Sequence, residues 1–196
     1  TSPKSKLNII SLFFRFFGIG PETKSGDESS YTRVGGDLAG RLGYNLTRQL
    51  NIGANIVVGR DLVERRNVEF LPLTNVRFPN APGLHGATTI YEGASLRYDT
   101  RRNREYSDSG FAAKLSSGVT QNLTENNSFG RVDAETLGLW RETSFLQGGA
   151  RLYWGYTPGN NIPFYLQQTL GGSDRLRGFT ENRFIDKGAW EFEFEQ

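Results

Sequence analysis

Cysteine and histidine, the side chains most often used as nucleophile, proton shuttle and metal ligand at neutral pH, are nearly absent from this chain. It has no cysteine and one histidine in 196 residues, which removes a cysteine nucleophile, a thiolate zinc site and any histidine metal cluster. His85 lies in the turn-rich segment Pro82-Gly83-Leu84-His85-Gly86. No serine or carboxylate is placed by sequence to build a hydrolytic triad around it, and it reads as an ordinary polar loop residue. Gly18 and Gly20 with Lys24-Ser25-Gly26 lack the spacing of a phosphate-binding loop. No catalytic residue, metal ligand or cofactor is assigned. What remains is recognition chemistry near the end of the chain: Gly171-Gly172-Ser173-Asp174-Arg175-Leu176-Arg177-Gly178-Phe179, then Glu191, Glu193 and Glu195 alternating with Trp190, Phe192 and Phe194. Carboxylates at every second position of an extended segment share one face, the wet face of a strand.

The elements that must carry these residues are strands. Helical periodicity is nearly absent, whereas period-two alternation recurs. Val34, Leu38, Leu42, Tyr44 and Leu46 oppose Arg33, Asp37, Arg41 and Asn45; Leu50, Ile52, Ala54, Ile56 and Val58 oppose Asn51, Gly53 and Asn55. Ala94, Leu96 and Tyr98 oppose Ser95, Arg97 and Asp99; Phe111, Ala113, Leu115 and Val119 oppose Lys114, Ser116 and Thr120. Val132 and Ala134 oppose Arg131, Asp133 and Glu135, and Leu146, Ala150, Leu152 and Trp154 oppose Gln147, Gly149 and Arg151. With Ile10, Leu12, Phe14 and Phe16 set against Ser11 and Arg15 at the start, and the Trp190 segment at the end, about eight strands are expected.

Strand length and loop rhythm separate a membrane barrel from a soluble sheet. Several alternating runs reach about ten residues, the length a tilted strand needs to cross a bilayer. Tyr44, Tyr98, Trp154, Tyr156 and Trp190 lie near strand ends, as interfacial aromatic girdles do. The expected connections alternate: long at 20–30, short at 47–49, long at 61–87, short at 100–110, medium at 122–128, short at 141–144 and long at 157–187. Short turns on one side and long loops on the other are the habit of outer-membrane barrels. The mean hydropathy of −0.51 argues against a helical membrane protein, and no stretch supplies the roughly 18 to 20 consecutive apolar residues a transmembrane helix needs. The longest apolar run, around Ile9 to Gly20, is interrupted by Ser11 and Arg15. A net charge of +2 without a polybasic tract argues against nucleic acid as a partner. No signal peptide is visible after Thr1-Ser2-Pro3-Lys4, and the lack of methionine fits a processed or excised segment.

Two stretches resemble the BamA/TamA-like family of outer-membrane assembly and translocation barrels, the bacterial surface antigen family. One is Ser95-Leu96-Arg97-Tyr98-Asp99-Thr100-Arg101-Arg102-Asn103 leading to Ser107-Asp108-Ser109-Gly110-Phe111, similar to the family's periplasmic turn, although Tyr106-Ser107 stands where the family usually has proline. The other is Pro163-Phe164-Tyr165 followed by Gly171, Gly172 and Leu176-Arg177-Gly178-Phe179, similar to the family's lumen-loop hallmark. The resemblance implies an all-β fold: an antiparallel transmembrane β-barrel with about eight strands present as the middle portion of sixteen. Residues 1–196 are then one partial barrel domain, with loop 157–187 directed into the lumen. The first four and last four strands, and any periplasmic domains, are expected outside this chain. The same resemblance gives Arg177 the role of reaching across the lumen to a carboxylate, Glu195 or else Glu193 or Glu191, with Gly178 allowing a tight turn and Phe179 packing against the wall. The periplasmic turn motif comprises Tyr98, Asp99, Thr100, Arg101 and Gly110. The implied function is a non-enzymatic insertase or translocase of the outer membrane of a Gram-negative-type bacterium. Its partners would be outer-membrane lipids, client polypeptides and accessory assembly subunits. The alternatives are a passive pore or surface antigen, or the barrel anchor of an attached lipase-like domain. In such a barrel the Asn45, Asn122 and Asn126 glycosylation-type tripeptides are chance matches.

Overall fold

Alternation over long stretches builds a meander of antiparallel strands, each hydrogen-bonded to the next in sequence. A computed structural model describes residues 4–64, 70–102, 109–141, 143 and 146–196. The strands are β1 (Lys4–Phe16), β2 (Ser29–Asn45), β3 (Leu50–Glu64), β4 (Ala87–Asp99), β5 (Gly110–Asn122), β6 (Asn127–Arg141), β7 (Gln147–Tyr156), the short β8 (Gln168–Leu170) and β9 (Phe184–Asp186), and β10 (Gly188–Glu195). The main sheet has the order β1-β2-β3-β4-β5-β6-β7-β10, and β8 and β9 pair separately as a small hairpin. The chain therefore leaves the sheet after β7, makes a long excursion, and returns to pair with the strand it left. These eight strands form an open sheet with β1 and β10 at its edges, not a closed barrel. No helix among the described residues is long and apolar enough to cross a membrane.

Register fixes which side chains share a face. Leu42, Ala54, Ala94, Ser117 and Val132 form one cross-strand row, and Ala134, Trp154 and Trp190 form another. This face is apolar and uncovered: Leu42 is 63% exposed, Trp190 70% and Phe192 62%. The opposite face carries Arg33, Asp37, Asp61, Arg97, Asp99, Arg131, Asp133, Glu135, Arg151 and the Glu191-Glu193-Glu195 comb. A soluble sheet of this size would hide its apolar face; here the polar face is the one the loops cover.

The sheet curves around that polar face. Asn8 and Asp37 of β1 and β2 and Arg131 and Asp133 of β6 line a common cleft of about 460 Å³, although laid flat β1 and β6 would stand roughly 24 Å apart.

Strand β1 departs from the expected facing. Its register sets Leu12 opposite Arg33 and Phe14 opposite Tyr31, so Phe14 and Phe16 lie on the polar face and not with the apolar residues of the other strands. The cause is packing: Phe16 is 1% exposed in a cluster with Tyr31, Phe164 and Ile185, and alternation alone cannot say which side a loop will cover. The loop rhythm also breaks once. The β5–β6 connection spans only residues 123–126, shorter than the 100–109 connection on the other side. The turn is closed by Asn122, whose Oδ1 accepts from the Thr124 and Glu125 amides at 3.1 and 3.4 Å, with Asn126 in the left-handed region at φ 52°.

The remaining long connections interlock at one end of the sheet. Ser30 N donates to Pro72 O at 2.9 Å, and the Ser29 and Thr74 hydroxyls meet at 2.9 Å. Arg77 holds the 3-10 turn Ser25–Asp27 through Asp27 at 2.7 Å and Gly26 O at 2.9 Å. Phe78 packs edge-on to Phe16, with ring centroids 5.0 Å apart. The main buried aromatic cluster of the protein sits there, between loops, and not between two sheets.

Candidate functional site

The polar face holds one feature that organises the rest, the excursion between β7 and β10. Its base is closed by Thr157 N donating to Lys187 O at 2.7 Å. Above the base lies a buried polar anchor. Gln168, 1% exposed, donates from Nε2 to Thr157 Oγ1 at 3.0 Å, and its Oε1 accepts from the Tyr153 hydroxyl at 2.6 Å and from Arg131 Nη2 at 3.3 Å. Tyr153 Oη also lies 2.9 Å from Asp133 Oδ1, so its single proton serves two acceptors. Arg131 forks onto Asp133 at 2.8 and 3.1 Å and reaches Leu166 O at 3.4 Å. A planar guanidinium suits this bidentate geometry. Through these groups β6 and β7 grip the start of the excursion.

Its middle crosses to the other side of the curved sheet. Phe164, with 0% exposure, meets Phe16 at 4.5 Å and Tyr31 at 4.9 Å between ring centroids. Arg33, paired to Asp61 at 2.8 and 2.9 Å, lies 4.8 Å over the Tyr165 ring. Burial pushes the Tyr165 phenol well above its usual range. Arg183 donates to Thr23 Oγ1 at 2.9 Å and Thr23 O at 2.6 Å, and Gly20 N donates to Ile185 O at 2.8 Å. The excursion thus links β6, β7 and β10 to β1 and β2.

Its tip, Gly171 to Phe179, runs down the polar face toward the short-turn end. Arg151, paired to Glu135 at 2.9 Å, donates from Nη1 to Asp174 O at 2.9 Å. The Arg175 guanidinium sits 3.5 Å over the Tyr153 ring, a cation–π contact. Leu176 N donates to Glu191 Oε1. Arg177 Nη1 donates to Glu195 Oε1 at 3.1 Å, and its Nη2 lies 3.6 Å from Glu193 Oε1. The three carboxylates of β10 therefore all face this tip, two of them toward Arg177 and Glu191 toward the Leu176 amide. By register Glu195, Gly149, Leu139 and Gly110 lie in one cross-strand row. The tip accordingly reaches the level of the β4–β5 turn.

One local expectation is corrected. Gly178 has an ordinary φ and open space where a Cβ would stand, so it is not the residue that permits the turn. That work falls to Gly171 at φ 110°, whose Cβ position is occupied by Thr180 O, with Gly172 at φ 108° and Leu176 at φ 53°. Phe179, half exposed, packs edge-on to Phe184 of β9, within its own excursion, at 5.4 Å.

The β4–β5 turn motif assembles around one carboxylate. Asp99 accepts from Arg97 Nη2 at 3.1 Å, from Arg101 Nε at 3.0 Å and from the Arg101 amide at 3.2 Å. The side-chain bond to Asp99 holds the Arg101 guanidinium above its usual pKa. Thr100 N donates to Phe111 O and Phe111 N to Thr100 Oγ1, both at 2.9 Å. Gly110 takes φ 136° against Arg101, and Tyr98 points to the uncovered face. Asn103, Tyr106, Ser107 and Asp108 lie outside the described residues.

The model of the Omp85 superfamily domain matches residues 3–190. The chain belongs to the Omp85 superfamily. No curated protein matches it significantly. As an Omp85 domain it is outer-membrane-associated and non-enzymatic in type. Among the described residues, no group of three or more His, Cys, Asp or Glu side chains could hold a metal. Sequence reasoning about this Omp85 chain singles out Arg177 and the β10 carboxylates and misses the buried anchor. Arg131, Asp133 and Tyr153 stand on polar faces of their strands and are visible there; Gln168 carries no signal, because nothing in a loop sequence says that an amide will be buried.

Proposed function

We propose that this Omp85 chain forms part of a transmembrane outer-membrane barrel of a Gram-negative-type bacterium, one that inserts or translocates client polypeptides, with residues 157–187 as an internal brace of the lumen. The observation that carries the reading is the inside-out cover of the sheet: an uncovered apolar face suited to lipid, and a polar face crossed by one loop from β7 to β1. Strands β2 to β6 run to 13 residues or more, enough for a tilted strand to span a bilayer. The sixteen-strand count, the lumen role of Arg177 with Glu193 and Glu195, and the periplasmic side of the Tyr98–Arg101 turn come from family resemblance. The chemistry is exchange of backbone hydrogen bonds with clients, without covalent catalysis.

The test is the folding rate of a client barrel in liposomes containing the complete protein, wild type beside Arg177→Ala, with planar-bilayer conductance recorded in parallel. Accelerated client folding that Arg177→Ala slows supports the insertase with a braced lumen. Ion conduction with no effect of either protein on client folding overturns it in favour of a passive pore.

A further inference from the structure

The sheet curves around its polar face, so its apolar face is convex, and curvature alone opens no cleft there. A cleft of about 570 Å³ nevertheless lies on that face, across strands β2 to β5, with no charged side chain in its lining. Side-chain size makes it. Register sets Ala54, Ala94 and Ser117 in one cross-strand row beside Leu42, so three neighbouring strands present small side chains together and form a floor. Exposed Leu42 and Tyr44 of β2 wall it on one side and exposed Leu115 of β5 on the other. Tyr44 pairs with Ile52 just before the β2–β3 turn, where Arg48 is exposed, and Arg102 is exposed in the β4–β5 turn at the same end of the sheet. Neither arginine forms an ion pair or hydrogen bond among the described residues. Asp99, the carboxylate of β4 at this end, is taken by Arg97 and Arg101. The apolar face carries two other charges, Arg60 opposite Thr88 and Glu92 opposite Ile56. Both stand on the long-loop side of the alanine row and outside the cleft wall.

We propose, on the reading of this sheet as membrane-spanning, that the cleft is a site for one anionic phospholipid. An acyl chain occupies the alanine floor, and the headgroup phosphate lies at the short-turn rim in the positive field of Arg48 and Arg102. On a smooth apolar face a lipid chain touches protein on one side only. In the cleft it meets a floor and two walls, and each added carbon contact contributes dispersion energy. The dimensions suit a lipid. From Tyr44 to the turn residue Arg48 is four steps of chain, roughly 14 Å at most when extended, and one leaflet of the hydrocarbon core is about 15 Å thick. A chain whose headgroup lies at the turns therefore reaches the floor without leaving its leaflet. Tyr44 and Tyr98, both exposed on this face, stand where headgroup-level aromatics do. Two arginines without acidic partners favour a net negative headgroup over a zwitterionic one.

The probe is a phosphatidylglycerol carrying a diazirine on one acyl chain, diluted into phosphatidylethanolamine vesicles that contain the full-length protein. Peptide mass spectrometry maps the photoproducts. Labelling at Ala54, Ala94 and Leu115 is expected to exceed that at Trp190 and Phe192, exposed residues of the same face, by about fivefold. Unlabelled phosphatidylglycerol should compete, and an equal amount of phosphatidylcholine should not. Ala54→Leu with Ala94→Leu, both at exposed positions, fills the floor and should bring cleft labelling down to the β10 level. Arg48→Gln with Arg102→Gln should raise the phosphatidylglycerol needed for half-competition about tenfold. Labelling equal on the cleft and β10, or unchanged in the double-leucine protein, overturns the site while the membrane reading stands. Label absent from the whole apolar face overturns the membrane reading, and the site with it. Cleft labelling that falls as the protein-to-lipid ratio rises assigns the cleft to a second copy of the chain and overturns the lipid.

Discussion

Replacing Phe164 by alanine should undock the β7–β10 excursion from β1 and β2 far more than replacing the motif arginine. Phe164 is fully buried and touches the rings of Phe16, Tyr31 and Tyr165. Truncating such a side chain costs about 3–5 kcal/mol, the lost transfer term plus the cavity left behind. Arg177 is 61% exposed and its partner Glu195 64%, so solvent screening limits that pair to about 0–1 kcal/mol. Each 1.4 kcal/mol is about a factor of ten in a local opening equilibrium. Native-state hydrogen exchange reads that equilibrium. In Phe164→Ala the Gly20 amide, bonded to Ile185 O, and the Phe164-flanking amides should exchange about 100-fold faster or more. In Arg177→Ala the same amides should change by about fivefold at most. Ladder amides of β3, β4 and β5 should keep their wild-type protection in both variants. A larger effect of Arg177→Ala than of Phe164→Ala, or uniform loss of protection across the ladder, would refute the view that buried aromatic packing docks the loop and the arginine only orients its tip.

Gly171→Ala should loosen the loop tip, because the new Cβ meets Thr180 O in a backbone at φ 110°, whereas Gly178→Ala should be neutral or stabilising by up to ~1 kcal/mol; limited proteolysis between residues 171 and 183 compares them. The Asp27 carboxyl is held below its ordinary value of 3.8, first by its hydrogen bond from Arg77 and then by that from the Lys24 amide. Its contribution is therefore complete above that pH and is lost as pH falls through the lower folded value. Cleavage within residues 17–28 by an acid-active protease should rise below pH 3.8 in wild type and be independent of pH there in Asp27→Asn. The Tyr165 hydroxyl is buried without a hydrogen-bond partner among the described residues, so Tyr165→Phe should leave thermal stability unchanged or higher, and the absorbance step of that tyrosine should be missing from an alkaline titration of the wild type through the ordinary range.

Much of the fold is legible because a sheet with one wet and one greasy face writes period two into its strands. The facings of β2, β3, β4, β5, β7 and β10 follow from that alternation alone, and the β10 carboxylates stand out as a comb in the bare sequence. Strand β1 defeats the same reasoning. Its Phe14 and Phe16 alternate as cleanly as the residues of the uncovered apolar face, yet they serve the loop cluster on the polar face, since an aromatic side chain is equally at home on an apolar sheet face or against a buried loop. The 123–126 turn is tighter than its sequence suggests, because it depends on the Asn122 side chain capping its own backbone.

The Arg177-Gly178-Phe179 motif marks the loop, but its sequence does not say which residues bear its weight. Gly178 looks like the turn and is replaceable in space; Gly171 is the position where backbone approach forbids a side chain. By itself, then, the sequence determined the number of strands in the main sheet, most strand facings and the long excursion after β7, since these rest on local periodicity and on the spacing between periodic segments. Only the tertiary structure decided that the excursion crosses the sheet and that Gln168 and Phe164 anchor it. Those outcomes depend on contacts between residues far apart in the chain, and curvature of the sheet, which no local pattern encodes, brings them within reach.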